Sequence, residues 1–378
     1  MASYKLLSKG NWKVIISLGF DCNGKRQRVI KQGFKTKKDA ELFVTETLNK
    51  RNRGYISPSE SNMLFKDYIM KWFNEYKCFQ TKSINTRNNY LSRIEVHIIP
   101  KLGVYKLNKL NTAIIQDFYN SLIADGLKPS SAKKIMETVN SCLKYAKKNK
   151  LIYELPTDIE KQKIEKPKIE YWSKEESDFF LNYIKDTYLY TPVFIDMLTG
   201  LRIGELCGLR WCDVDLENGF IIVNHQLIHD KRLKVLVLAD LKTSSSHRTI
   251  TIPKILINYL KELKEQRNAS KNDYVVLDRK DFKYTPRSLS MNFTKKVSKF
   301  ALPIDEVENK DNYMQLKQIS FHGLRHTHAT ILIANGENIK VVSERLGHTD
   351  IRMTLNTYTH VLKSMKNKTA NLLDKIFE

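Results

Sequence analysis

Near the N-terminus, hydrophobic residues alternate with polar ones: Trp12, Val14, Ile16 and Leu18 take every second position, the period of a half-buried strand. Asn23-Gly24 then offers the residues of a type I′ turn, and Arg26 to Phe34 returns as a second extended run. A β-hairpin is predicted. Thr36 followed by Asp39 resembles a capping box with Asp in the usual Glu position, and Ala40, Phe43, Val44, Thr47 and Leu48 recur behind it at helical spacing. Residues 1–58 therefore read as a small β-sheet backed by one helix. The stretch 54–61, with Gly54, Pro58 and several serines, has linker composition.

From Met63 to Leu155 the period becomes helical. Leu64, Tyr68, Trp72 and Phe73 mark one helix, Thr86 to His97 a second, Ile114, Ile115, Phe118, Tyr119 and Leu122 a third, and Ser130 to Lys148 a fourth. Gly103 separates the second from the third, and Gly126 with Pro129 the third from the fourth. Residues 62–157 read as a helical bundle. A charged linker containing Pro167 leads to a third domain at 171–378. There Ser173-Lys-Glu-Glu is an N-cap signature, helices are predicted at 173–186 and 191–208, extended runs at 219–225, 233–238 and 247–252, and further helices to the C-terminus. The whole is a multidomain α+β chain.

Charge sharpens this picture. Lys and Arg number 64 against 41 Asp and Glu, so 64 − 41 = +23, an excess that favours a polyanionic partner over a neutral one. Residues 1–58 are the densest basic block, with 13 basic against 4 acidic side chains and a net of +9. A solvated basic surface would look the same by composition alone, so the decision falls to motifs. Five cysteines (Cys22, Cys78, Cys142, Cys207, Cys212) with no CxxC pairing suggest neither a zinc site nor a disulfide framework. A reducing, cytoplasmic setting is expected, since no signal peptide or membrane-spanning run is recognisable.

Four peptides of the third domain carry candidate chemistry: TGLRIGEL at 199–206, LKTSSSHRTI at 241–250, HGLRHTHAT at 322–330 and LGHTDIRMTLNTYTH at 346–360. Any one of them is weak. A given tyrosine among 18 is usually a packed or surface residue, and His-x-x-Arg on a helix is by default a solvated i, i+3 face. Together, in this order, they resemble the tyrosine recombinase, or phage integrase, family, whose pattern is Arg, Lys, His-x-x-Arg, His or Trp, and Tyr. Arg202, Lys242, His322 with Arg325, His348 and Tyr358 match it throughout. The three-part plan resembles integrases of Gram-positive phages and conjugative transposons, with arm-binding, core-binding (SAM-like) and catalytic domains at 1–58, 62–157 and 171–378.

The resemblance implies a site-specific DNA recombinase that cleaves and rejoins strands through a 3′-phosphotyrosine. Tyr358 would be the nucleophile, Lys242 the general acid, His348 a donor to a non-bridging phosphate oxygen, and Glu205 an orienting support. Residue chemistry agrees: phosphoryl transfer needs charge neutralisation at phosphorus, and Arg202 and Arg325 supply two guanidinium forks from different segments. His322 and Arg325, three apart at a helix start, project from one face. His326 and His328 crowd the same helix, but no HExxH pattern accompanies them, so no metal is expected. Because the covalent link conserves bond energy, no cofactor or ATP is chemically required.

The implied partners are double-stranded attachment sites of core and arm type, bound as a homotetramer, with an excisionase and a DNA-bending host factor as further partners the family allows. Lys13, Arg26, Arg28 and Lys31 of the hairpin are the candidate arm-DNA contacts, since a two-stranded ribbon fits the major groove. Leu372, Leu373, Ile376 and Phe377 form an apolar stripe near the C-terminus that is expected to dock on a neighbouring protomer. Two rivals are a type IB topoisomerase, which would need no N-terminal basic module, and a non-catalytic DNA-binding protein, which would not need the full set of site residues.

Overall fold

The computed structural model describes residues 2–20, 26–52, 62–156, 158–164, 169–230, 232–241, 246–303, 306, 313–364 and 376. It divides into two compact units, Met1–Lys82 with Asn89–Glu165, and Ser83–Asn88 with Lys166–Glu378.

The first unit opens with an antiparallel sheet in the order β1 (Ala2–Ser8), β2 (Asn11–Phe20), β3 (Arg26–Phe34). Val14 and Ile16 of β2 are fully buried and pack with Ala40 and Val44 of α1 (Lys37–Asn52). That confirms the alternation read for the hairpin and adds a strand. In ASYKLLS only Ala2 and Tyr4 are partly buried against that core, so the alternation of β1 is too short and too polar to detect. The Asn23-Gly24 turn lies outside the described residues. Helix α1 starts as its capping box predicts, with the Asp39 amide donating to Thr36 Oγ1 at 3.1 Å and the Thr36 amide to Asp39 Oδ2 at 3.2 Å.

The helical part has its own core. Helix α2 (Phe65–Trp72) runs on through a π-helical turn at Phe73–Lys77, and α3 (Ile84–Arg93) through another at Ile94–Ile98, before α4 (Thr112–Ala124) and α5 (Pro129–Lys148). Ala132, Ile135, Met136, Val139, Cys142, Leu143 and Ala146 bury one face of α5 at spacings of three and four, as a bundle helix must. Gly126, at φ +85°, closes α4 where the predicted break falls.

In the second unit, Ser173 caps α6 (Lys174–Ile184), accepting from the Glu176 amide at 3.2 Å while Glu176 Oε2 accepts from the Ser173 amide at 2.7 Å. The helix expected over 191–208 is in fact two, α7 (Tyr190–Thr199) and α8 (Ile203–Gly208). The cause is Gly200, which ends α7 in the left-handed region at φ +65°. A Cβ there would also lie 2.7 Å from His328 Cδ2, so only glycine lets the chain turn this close to its neighbour. Strands β4 (Val214–Asp215), β5 (Phe220–Val223) and β8 (Arg248–Thr251) form one antiparallel sheet, and β6 (His225–Asp230) pairs with β7 (Val235–Asp240) in a second. Helices α9 (Lys254–Gln266), α10 (Pro286–Val297), α11 (Phe321–Ala334), α12 (Ile339–Leu346) and α13 (Ile351–Ser364) complete it. Trp172, Phe180, Phe293 and Phe321 meet in tilted and edge-to-face contacts through the core, with ring centroids 4.8 to 5.8 Å apart, and fix α11 against α6 and α10.

Candidate active site

Helix α11 carries His322, Arg325 and His326 within its first six residues, and α12 ends close by in a left-handed turn at Gly347, φ +65°. Arg325 is 2% exposed and donates from Nη1 to the Gly200 carbonyl at 2.7 Å and from Nη2 to the Leu346 carbonyl at 2.6 Å. Arg202, on the turn that Gly200 creates, donates from Nη2 to the next carbonyl, that of Gly347, at 2.9 Å. The two guanidinium groups are thus tied to consecutive carbonyls of one turn. Arg202 keeps 35% of its side chain exposed, so a ligand can reach it.

Glu205 is the support beneath them. Its side chain is 1% exposed; Oε1 accepts from Arg202 Nη1 at 2.8 Å, and Oε2 accepts from the Arg202 amide at 2.9 Å and Arg248 Nη2 at 2.8 Å. Burial alone would raise this carboxyl, but the hydrogen bond and charge of Arg248, together with Arg202, hold it below its ordinary value. Arg248 is a member that sequence reasoning missed. Its signal was an arginine in the HRTI strand just after Lys242, otherwise read only as an extended run.

The cluster is left electropositive. Burial, then the charges of Arg202 and Arg248, lower Arg325 to about 9, which still leaves it a cation at neutral pH. Burial pushes the carboxyl of fully buried Asp196 well above its ordinary value, against the opposing charge of Arg325, which weakens it as a counter-charge. Three guanidinium groups therefore gather around the Glu205 carboxylate, and an entering phosphate would relieve their repulsion.

Tyr358 is 1% exposed, packed with Ala329, Ile333, Val342 and Leu346, and interrupts α13 with φ −109° and ψ 18°. Burial raises its phenol well above the ordinary value against the opposing charge of Arg325. Its hydroxyl meets His326 Nδ1 at 2.9 Å. His348 follows Gly347, and its Nδ1 bonds Thr354 Oγ1 at 2.7 Å. His322 is exposed at the helix start, its pKa lowered by the surrounding protein and by Arg325 and Arg202. His328 faces the other way, its Nδ1 on the Met197 carbonyl at 2.8 Å and its Nε2 accepting from Arg345 Nε at 3.1 Å. Of the three crowded histidines of α11, His322 and His326 are neighbours with ring centroids 4.8 Å apart, whereas His328 stands apart from them. Lys242 and most of the apolar stripe at 372–377 lie outside the described residues; Ile376 alone is described, and it is exposed.

Of the N-terminal candidates, Lys13 pairs with Lys5 and Gln32, and Arg28 with Ser17, which sets both on the sheet face away from α1. Lys31 pairs with buried Val14 on the helix side, where its ammonium sits 4.5 Å from the Phe43 ring and 5.5 Å from that of Phe34. Arg26 stands opposite Phe20.

Neutral histidines that are buried or half-buried make stability pH-dependent. Burial and neighbouring charge lower His326, His328 and His348 to about 4. An unfolded imidazole titrates near 6.5, so the unfolded chain takes up protons that the fold refuses. Stability from these groups is complete above about pH 6.5 and falls as pH drops toward 4. Urea midpoints of unfolding should decline through that window; a flat profile would contradict the neutral, buried state.

The phage integrase family matches residues 173–365, more than half of the chain. The chain belongs to the phage integrase family. An N-terminal SAM-like domain of phage integrases matches residues 64–123 and an arm DNA-binding domain residues 2–50 of this integrase. A XerC-like tyrosine recombinase of Caldanaerobacter subterraneus is 28% identical over 99% of this chain and 98% of its own. The ICEBs1 integrase of Bacillus subtilis is 26% identical over 99% and 100%. The Tn1549 transposon integrase, solved in complex with transposon right end DNA, shares the fold with a TM-score of 0.66 and 22% identity, covering 82% of this chain and 100% of that one. Among the described residues no helix is long and apolar enough to cross a membrane.

Proposed function

We propose that this integrase cleaves and rejoins DNA at the attachment sites of a mobile element, with Tyr358 forming a transient 3′-phosphotyrosine and Arg202, Arg325, His322 and His348 holding the scissile phosphate. The observation that carries this reading is the anchoring of Arg202 and Arg325 on the consecutive carbonyls of Leu346 and Gly347, next to His348, in the domain that also holds Tyr358. Lys242 is assigned the proton for the leaving 5′-oxygen, and Glu205 positions Arg202 without touching DNA. A nicked suicide duplex tests the reading: cleavage releases the short 5′-hydroxyl strand and traps the protein on DNA. Binding without any trapped adduct would favour a non-catalytic DNA-binding protein.

The domains follow the same division of labour, with 1–58 reading arm sites, 62–157 gripping the core site and 171–378 doing chemistry on the bacterial nucleoid. Conservative exchange between two duplexes breaks four strands, and each chain brings one Tyr358, so four protomers complete a reaction. An excisionase or a DNA-bending host factor would act by changing which arm sites are occupied. Lys13 and Arg28, on the open face of the sheet, are the leading arm contacts, and Lys31 is the least free of the four. Two truncations test these outer parts. Removing residues 1–58 should preserve core-site cleavage but impair integration on full attachment sites, and arm binding should weaken steeply with salt. Ending the chain after Lys368 should reduce synapsis of paired sites more than binding to one half-site. Unchanged integration in the first case, or normal assembly in the second, would remove the corresponding role.

A further inference from the structure

The Tyr358 hydroxyl lies 2.9 Å from His326 Nδ1, with ring centroids 5.9 Å apart. A phenol is a stronger hydrogen donor than a neutral imidazole, so the O–H is assigned to point at the Nδ1 lone pair, with the ring's own hydrogen on Nε2. The neighbouring histidines are otherwise placed. His348 Nδ1 is bonded to Thr354, His328 lies between Met197 and Arg345, and His322 is edge-on to His326 at 4.8 Å.

We propose that His326 is the general base for Tyr358, accepting the phenolic proton at Nδ1 as the tyrosine oxygen attacks the scissile phosphate. This rests on Tyr358 being the nucleophile. As the bond from Oη to phosphorus forms, the O–H bond breaks and its proton moves to Nδ1, giving an imidazolium. The bond from phosphorus to the 5′-oxygen breaks, and that oxygen leaves with the electron pair and takes a proton from a separate donor, the role assigned to Lys242. Ligation reverses the sequence: the 5′-hydroxyl attacks, Oη departs, and His326 returns the proton to it.

Two features make this arrangement effective. Buried Tyr358 resists ionising on its own, so a partner that removes its proton during attack is needed. The groups around His326 are His322 and Arg325 on its own helix, Tyr358 from α13 and His348 from the turn after α12. Burial, His322 and Arg325 keep the ring neutral, hence able to accept, before DNA arrives. A phosphodiester entering among Arg202 and Arg325 brings negative charge that favours the imidazolium, so the base strengthens where substrate is bound.

The test uses the full chain, a nicked suicide duplex bearing its own core site, and single-turnover rates of covalent adduct formation. His326→Ala and His326→Gln should both lower the rate by about 10²–10⁴-fold while DNA affinity is retained. A fluorinated tyrosine at position 358, whose phenol is more acidic, should recover about tenfold or more in the His326→Ala background. Near-native cleavage by His326→Gln would mean that the contact only positions the tyrosine, and failure of the fluorinated residue to recover activity would likewise overturn the proposal. Tyr358→Phe run alongside separates the two levels. An adduct formed by that variant refutes the nucleophile itself, whereas an inactive Tyr358→Phe beside a fully active His326→Gln refutes only the base.

Discussion

Tyr358→Phe is expected to abolish the covalent protein–DNA adduct while leaving duplex binding nearly unchanged. The substitution removes one oxygen. The ring it leaves is the part that packs with Ala329, Ile333, Val342 and Leu346, so the apolar contacts that seat the α13 segment survive. The lost hydrogen bond to His326 should shift stability by only about 1 kcal/mol. Loss of chemistry without loss of fold is therefore the expected signature, read by denaturing gels for the adduct and by mobility shift for binding. An adduct trapped by the phenylalanine variant would require another nucleophile.

The residues that meet here were recognisable in the sequence from the order of four short peptides and their resemblance to a family pattern, since each peptide alone is weak. In the fold, Gly200 and Gly347 end helices in left-handed turns, and those turns hold Arg202 and present carbonyls to Arg325. Arg248 was not legible, because its role depends on a contact to Glu205 across 43 positions of chain that no local pattern encodes. The split of the 191–208 helix was missed for a related reason: the apolar period continues through Gly200, and only packing against His328 shows why the helix stops. His326 was visible only as one of three crowded histidines. The tyrosine contact that sets it apart comes from α13, 32 positions away. β1 escaped detection because this mostly exposed edge strand turns only Ala2 and Tyr4 to the core, too few positions to impose a visible alternation.

Arg202→Lys and Arg325→Lys are expected to lower cleavage by about 10²–10³-fold each, with the charge retained in both. The reason is geometric. A guanidinium can hold a fixed protein partner with one nitrogen and present others to phosphate, whereas an ammonium on a flexible stem concentrates its donors at one point. Arg202 uses Nη1 for Glu205 and Nη2 for the Gly347 carbonyl, which fixes its plane; the single nitrogen of lysine cannot reproduce that two-point hold. At Arg325 the change reaches further, because the carbonyls of Gly200 and Leu346 share its two terminal nitrogens at 2.7 and 2.6 Å in a buried setting. Leaving one unpaired should cost about 1–3 kcal/mol of stability, so Arg325→Lys should also lower the unfolding midpoint, and Arg202→Lys, at the exposed rim, much less. Comparing the two by adduct formation and by urea unfolding separates clamp from scaffold. Near-native cleavage in both variants would show that positive charge alone suffices and that the paired carbonyl anchors do not set the catalytic geometry.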